Sequence, residues 1–394
     1  MLSPLHPQFR IGILGGGQLG RMLLSPAMRF NLNLAVLDPD PAAPCADFTP
    51  DFHCGELTEY DTVIAFGRDC DLITIEIENV STEALFALRN GDFSGPDNHP
   101  RLVRPSPEII QMIQDKLTQK EFLIREGLPT AEFVAIETQA DLPRHFQMFP
   151  AVQKLRRSGY DGRGVQVLDS PDDDRAFDAP SILERKIDFE KEIALIVSRN
   201  PSGQIVTFPV VEMEFHPEAN LVEYLFSPAN LSEALIRKVQ EVAAHIAETL
   251  QLEGLLAIEM FVHGTDILIN EMAPRPHNSG HHTIEACLCS QYEQLWRAVL
   301  DLPPGDTTLQ SPAVMVNLLG APGQTGPTCY DSPELKNLLS NPGVHLHLYG
   351  KKITRPYRKM GHITILHAQL ESARQLARSI RRNISINAYS EESE

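Results

Sequence analysis

A strand that runs through a glycine turn directly into a helix restricts architecture more than any other local pattern in this chain. The stretch is RIGILGGGQLGRMLL, Arg10 to Leu24. Its apolar run Ile11–Leu14 stops at Gly15-Gly16-Gly17, and a helical pattern begins after Gln18. Further apolar runs at Leu34–Leu37 and Leu72–Ile77, with a second helical segment after Ser81, predict a β-α-β-α start and a parallel sheet. The turn also has the G-x-G-x-x-G spacing that seats a dinucleotide pyrophosphate on a helix N-terminus. Asp38, eighteen residues beyond Gly20, is formally available to a ribose.

Beyond this start, Asp92–Pro107 is dense in Gly and Pro and reads as a domain boundary. One long amphipathic helix is predicted from near Pro107 to a stop at Gly127-Leu128-Pro129. From Thr130 to about Phe226 the pattern is mostly strand, followed by helices at Leu231–Leu250 and around Thr283–Leu300. Short strands and a helix near Ser372–Arg381 close the chain.

At 394 residues the chain is long enough for two or three domains. Its 34 basic and 52 acidic residues give a net charge of −18, which argues against a nucleic-acid partner. No run approaches the ~20 apolar residues of a membrane helix, and the first residues lack a signal-peptide layout, so the expected location is the cytoplasm. The six cysteines form no C-x-x-C pair and read as reduced and structural.

Five constellations carry chemistry. In LLAIEMFVHGTDILINEM a turn centred on Thr265 sets Glu259 directly opposite Glu271. Like charges so placed repel, so the pair either binds a hard cation such as Mg²⁺ or lies solvated on an exposed face. KLRRSGYDGRGVQVL holds three glycines between Gly159 and Gly164, flanked by Lys154, Arg156, Arg157 and Arg163. It is a basic loop able to wrap polyphosphate, or a plain hairpin turn. Glu184 and Glu192 flank a strand connector that could face a base and a ribose, or be surface charges. Arg275, His277, Asn278, Ser279 and His281 crowd one Pro/Gly loop suited to a small anion. Lys351, Lys352, Arg355, Arg358 and Lys359, interleaved with Tyr349 and Tyr357, suggest a phosphate site or a solvated basic loop.

Taken together, GGGQLGRM, TIEIENV, DKLTQKEFL, GYDGRG, INEMAPRPHNSGHHT, SQYE and RKMGH resemble, in this order, the ATP-grasp ligases. Among them the resemblance is to N5-carboxyaminoimidazole ribonucleotide synthetases and covers nearly the whole chain. It implies a mixed α/β and α+β architecture: a Rossmann-like pre-ATP-grasp domain (1–105), an ATP-grasp domain (106–305, lid about 130–186) and a small β-rich C-terminal domain (306–394). The glycine turn then serves a tight strand-to-helix connection, and the dinucleotide reading, which leaves the carboxylate hairpin unexplained, is rejected.

The implied activity is carboxylation of 5-aminoimidazole ribonucleotide with bicarbonate and ATP, through carboxyphosphate, in purine biosynthesis. Mg²⁺ or Mn²⁺ is the implied cofactor, with Glu259 and Glu271 as ligands, and a homodimer the implied assembly. By resemblance Lys116, Lys154, Gly159, Asp161, Gly162, Glu184, Glu192, Asn270 and Glu271 match the ATP site. Arg275, His277 and Asn278 match the catalytic bicarbonate loop. Glu76, Glu78, Tyr160, Asp161, Arg163, Lys351 and Arg358 match the ribonucleotide site. The chain departs from the family pattern at Val165, at His282, where Trp is usual, and at Leu295-Trp296, where the family has His. The alternatives are a formate-dependent glycinamide ribonucleotide transformylase and an ATP-binding regulator without catalysis.

Overall fold

The structure is a computed structural model and describes residues 3–94, 98–157, 164–216 and 221–389. Its first part contains β1 (Arg10–Leu14), α1 (Gln18–Arg29), β2 (Asn33–Asp38), β3 (Phe52–Cys54), α2 (Tyr60–Gly67), β4 (Leu72–Ile75), α3 (Thr82–Asn90) and β5 (Leu102–Val103). The strands form one sheet in the order β3-β2-β1-β4-β5, every pairing parallel. Helices cover it, so the central strands are continuous apolar runs; Ile11, Ile13 and Leu14 have no exposed surface. Ser81 caps α3 by accepting from the Ala84 N–H, and Gly91 at φ +76° ends it.

The expected long helix after Pro107 is two helices, α4 (Pro107–Ile113) and α5 (Lys116–Arg125). Asp115 breaks it: its carboxylate accepts from the Leu117 N–H and caps α5, an arrangement that competes with continued helix. The break places Lys116 in the first turn of α5.

Next, β6 (Phe133–Ile136), β7 (Ala151–Leu155), β8 (Val165–Leu168) and β9 (Ser181–Arg185) form a small antiparallel sheet in the order β6-β9-β7-β8.

The remaining elements are β10 (Lys191–Arg199), β11 (Ile205–Thr207), β12 (Val211–Phe215), β13 (Val222–Ser227), α6 (Glu233–Thr249), β14 (Gly254–His263), β15 (Asp266–Ala273), α7 (Thr283–Ala286) and α8 (Gln291–Val299). After them come β16 (Ala313–Leu319), β17 (Gly326–Cys329), α9 (Pro333–Leu338), β18 (Val344–Leu348), β19 (Ile353–Thr354), β20 (Lys359–Leu366), α10 (Leu370–Asn383) and β21 (Asn387–Ala388). One antiparallel sheet runs β15-β14-β10-β12-β13-β16-β20-β18, so it crosses residue 305 without interruption through the β13–β16 pairing. The single helix expected around Thr283–Leu300 is α7 and α8, separated by a segment whose Ser290 caps α8.

Leu235, Val239, Ala243, Ile246 and Ala247 form one buried stripe on α6 at helical spacing, packed against Leu195, Val197, Leu256 and Ile258 of the large sheet. On the sheet's other side α8 packs on α1, and Trp296 Nε1 donates to the Leu23 carbonyl at 2.9 Å. That contact binds the first sheet to the second and brings the glycine turn towards β14 and β15.

Among the described residues no helix is long and apolar enough to cross a membrane. All six cysteines are free, and burial pushes the Cys70, Cys287 and Cys289 thiols up to about 12.

Candidate active site

The N-terminus of α1 already faces carboxylates of the chain itself. Glu76, just past β4, turns its carboxylate into the glycine turn and accepts from the Gly17 and Gly20 N–H groups at 3.1 and 3.0 Å. Asp38 accepts from the Gly16 N–H at 2.6 Å. The chain's own carboxylates thus compete for donors that a dinucleotide pyrophosphate would need. The glycines are required for that fit: a Cβ on Gly15, at φ +102°, would lie 2.4 Å from Glu76 Cγ.

Across the molecule, the β14–β15 hairpin sets Glu259 directly opposite Glu271. The route to that register differs from the expected one. The turn is Gly264-Thr265, His263 pairs Asp266, and the ladder continues regularly to Met260 opposite Ile269. A bulge at Asn270 then adds one residue, which sets Glu271 rather than Asn270 against Glu259 and turns two successive side chains into the site. Glu192 of β10 lies on the same face, because its neighbour Ala194 pairs Glu259.

Two carboxyls of this face are pushed towards the protonated form and one is held ionised. Burial, then the charges of Glu271 and Glu192, push the Glu259 carboxyl well above the usual range, and burial raises Glu192 to about 7. The Lys116 ammonium holds Glu271 down at about 2. Among the described residues no three such side chains form a ready metal cage. Mg²⁺ asks for less: one or two carboxylates plus substrate phosphates satisfy it. A pair of hard oxygen donors forced face to face fits that demand.

Lysines ring the carboxylates. Lys116 Nζ donates to Glu271 at 2.6 Å, and Lys154 Nζ to Asn270 Oδ1 at 2.7 Å. Lys154 also pairs with Glu184 at 2.8 Å, its diagonal neighbour on one face of the β7–β9 ladder. Glu184 is therefore no exposed edge charge: it is 3% exposed and held between Lys154 and Lys120. Burial alone would raise its carboxyl, but the two ammonium groups outweigh it and hold it ionised. Lys120 carried no assignment from sequence, although it lies one helical turn beyond Lys116; burial lowers its ammonium to about 8.

The loop after β15 carries the anion-binding candidates. The Arg275 guanidinium grips Glu78 through Nε and Nη2, the latter at 2.9 Å. Its fork thus already holds a carboxylate. His277 Nε2 stands 3.6 Å from Glu259, and Nδ1 lies 2.9 Å from Ser279 Oγ. Burial, with Arg275 and Lys359 near by, pushes the imidazole down to about 4, so it is neutral. Asn278 spends its amide on Asn317 of β16, in reciprocal hydrogen bonds of 2.9 and 3.0 Å.

The C-terminal basic segment packs beside α1. Arg21 Nη1 donates to the Tyr349 carbonyl at 3.2 Å, and Lys352 pairs with Asp47 at 2.6 Å. Lys351 donates to the Lys359 carbonyl, and Arg358 to that of Ile353. Gly159, Tyr160, Asp161, Gly162 and Arg163 lie outside the described residues. The stem before them is anchored: Arg156 pairs through Nε and Nη2 with Asp115, at 3.1 and 2.7 Å.

Antiparallel strands carrying paired carboxylates ringed by lysines, joined to a glycine-turn α/β sheet, are the architecture of an ATP-grasp ligase. Models of the ATP-grasp domain, the ribonucleotide synthetase preATP-grasp domain and the phosphoribosylaminoimidazole carboxylase C-terminal domain match residues 121–292, 9–114 and 313–376. The chain is 39% identical over 374 residues to N5-carboxyaminoimidazole ribonucleotide synthase of Synechococcus elongatus, covering 92% of this chain and 90% of that one. The N5-carboxyaminoimidazole ribonucleotide synthetase structure from Thermotoga maritima superposes with a TM-score of 0.86 at 37% identity, over 96% of this chain and 99% of that one. The Aspergillus clavatus N5-carboxyaminoimidazole synthase, solved with ADP and 5-aminoimidazole ribonucleotide, gives 0.84 at 31% identity, over 96% and 100%. The chain spans about two thirds of the length of the fungal phosphoribosylaminoimidazole carboxylases it also matches. It belongs to the N5-carboxyaminoimidazole ribonucleotide synthetase family and is an ATP-dependent ligase acting on 5-aminoimidazole ribonucleotide in purine biosynthesis.

Proposed function

We propose that the carboxyl donor is bicarbonate, activated by ATP as carboxyphosphate, and that the product is N5-carboxyaminoimidazole ribonucleotide. One observation carries this: His277 Nε2 stands 3.6 Å from Glu259, so the anion-binding loop and the phosphate site share a boundary. A bicarbonate in that loop faces the γ-phosphoryl group.

Lys116 and Lys154 neutralise the phosphate oxygens once they exchange Glu271 and Asn270 for ATP, and Glu192 is placed for the ribose. Glu184 and Lys120 hold Lys154 from behind. Glu259 and Glu271 would hold Mg²⁺ or Mn²⁺, which when bound supplies screening of the phosphate charge. A bicarbonate oxygen forms the new bond to γ-phosphorus as the bond to the bridging oxygen of ADP breaks. Carboxyphosphate then releases CO₂ and phosphate, and the exocyclic amine takes up the CO₂ and loses a proton.

Arg275 offers the anion two donors once it exchanges Glu78 for it, and neutral His277 offers a hydrogen bond without charge. Lys351 and Arg358, with the polar groups around Glu76 and Glu78, form the ribonucleotide side. Tyr160, Asp161 and Arg163 are assigned to the ribonucleotide by resemblance alone. The family likeness also supports a cytoplasmic homodimer, which light scattering of the purified protein checks.

The deciding assay is phosphate release with 5-aminoimidazole ribonucleotide or glycinamide ribonucleotide, each with bicarbonate or formate. Isotope-labelled bicarbonate entering an acid-labile carbamate is the expected outcome. A site built to hydrogen-bond a hydroxyl rejects an analogue lacking it by about 10⁴-fold. Formate-dependent turnover of glycinamide ribonucleotide overturns the proposal.

A further inference from the structure

The loop that carries Arg275, His277 and Asn278 has little structure of its own to hold it, only a one-turn 3₁₀ helix at Asn278–Gly280. Arg275 and Asn278 are tied through their side chains to Glu78 and Asn317, and the His277 backbone is held from α8. Gln291, the first residue of that helix, has no exposed surface. Its Oε1 accepts from the His277 N–H at 2.9 Å, and its Nε2 donates to the His277 carbonyl at 2.8 Å. Both backbone polar groups of His277 are thus satisfied by one amide, as a neighbouring strand would satisfy them.

The clamp is itself braced. The Gln291 N–H donates to Thr283 Oγ1 at 2.9 Å, and that hydroxyl donates to the Gly280 carbonyl at 2.6 Å. No space surrounds it: a Cβ on Gly280 would lie 2.5 Å from Gln291 Oε1 and 2.3 Å from Ile196 Cδ1. The amide therefore has one orientation, and His277 has one backbone position. Gln291 makes no hydrogen bond to Lys116, Lys154, Glu259 or Glu271.

We propose that Gln291 is a positioning residue for bicarbonate, setting where His277 stands relative to Glu259. This rests on the role given to His277 above. It separates two functions by residue: ATP binding depends on the lysines and carboxylates, and placement of the bicarbonate that attacks γ-phosphorus depends on a loop that Gln291 holds.

The test compares wild type, Gln291→Leu and the isosteric Gln291→Glu for ATP KM, bicarbonate KM and phosphate released per carboxylated product. The expected result for Gln291→Leu is an ATP KM within about twofold of wild type and about a tenfold rise in bicarbonate KM or in phosphate released per product, the size expected from two lost hydrogen bonds. Gln291→Glu keeps the acceptor for the His277 N–H and falls between the two. A folded Gln291→Leu protein, checked by its melting curve, that keeps wild-type coupling and bicarbonate KM overturns the proposal. Should Gln291→Leu fail to fold, wild-type values in Gln291→Glu overturn it equally. Wild-type protein whose phosphate release ignores bicarbonate and 5-aminoimidazole ribonucleotide would instead refute the function proposed above, whatever the variants do.

Discussion

Glu259 and Glu271 stand directly opposite each other in the β14–β15 ladder, and they do so because Asn270 is bulged out between Glu271 and Ile269. The bulge sends Asn270 to Lys154 and Glu271 to Lys116, so two neighbouring residues of one strand engage two lysines from different elements. An unbulged hairpin would have faced Glu259 with an amide and turned Glu271 to the other side of the sheet.

Glu271→Gln leaves the ladder and its bulge in place, removes the ionised carboxylate of the pair and strips Lys116 of its charged partner. Turnover is expected to fall by about 10²–10³-fold while the circular dichroism spectrum and melting profile stay near wild type, as for loss of a preorganised charge-stabilising group. Near-normal ADP release by a folded variant at ordinary Mg²⁺ would show that the pair does not hold the metal.

Arg358 tests the ribonucleotide side. Burial and the neighbouring Arg355 charge lower its guanidinium pKa, a strain that an incoming phosphate would relieve. Arg358→Ala should raise KM for 5-aminoimidazole ribonucleotide by about ten- to a hundredfold, the equivalent of one charge-assisted contact. KM for ATP should be unchanged. Steady-state kinetics with each substrate varied in turn decides, and equal effects on both would remove Arg358 from the phosphate grip.

His282 replaces the tryptophan usual in the family, and it is 1% exposed beside Ala194, Leu195, Ile196, Phe208 and Val211. Neither ring nitrogen has a well-aligned partner, although the Ser279 carbonyl lies near. Burial pushes the imidazole from 6.5 down to about 4. As pH falls below 6.5 the unfolded chain binds the proton and the folded chain does not, so stability is full above that pH and is lost on the way down to about 4. His282→Phe should be more stable by ~1–2 kcal/mol at pH 7, from removal of unpaired buried polar atoms. Its advantage should widen by ~1.4 kcal/mol per pH unit between those two values. Urea titrations of both proteins at pH 7, 6 and 5 give the comparison, and a gap that does not change with pH would mean that His282 finds a proton acceptor in the fold.

The glycine turn makes a sharper demand. Gly15→Ala must hold φ +102° with a Cβ 2.4 Å from Glu76 Cγ, and a loss of ~2–4 kcal/mol is expected. Gly127 also has a positive φ, +66°, but nothing within 4 Å of its Cβ position. Gly127→Ala should therefore cost only ~1 kcal/mol. Thermal melts of the two variants side by side measure the difference, which reports the contact with Glu76 together with the greater strain of φ +102°.

Local pattern determined a good deal of this molecule. Buried apolar runs alternating with helices specify the parallel sheet around β1, because period and length are properties of a short window. The two apolar runs flanking His263–Asp266 specify a hairpin, and the hairpin specifies two carboxylates near one another. The order of motifs specifies the family. Where one strong local signal met another, pattern failed: Asp115 caps α5 inside what reads as one amphipathic run, and the bulge at Asn270 shifts a register that counting from the turn alone cannot fix.

Only the tertiary structure decided which polar groups meet. Glu76 reaches Gly17 across 59 positions, Lys154 reaches Asn270 across 116, Lys116 reaches Glu271 across 155, and Arg275 reaches Glu78 across 197. The sequence offered Glu76 and Glu78 as equivalent and Glu184 as either a base- or ribose-facing group or a surface charge; folding put one under a glycine turn, one on an arginine and one between two buried lysines. The physical reason is that periodicity reports how much of a residue is buried, whereas a buried charge or amide is tolerated only beside a particular partner. That partner is chosen by the packing of whole sheets, and no window of neighbouring residues contains it.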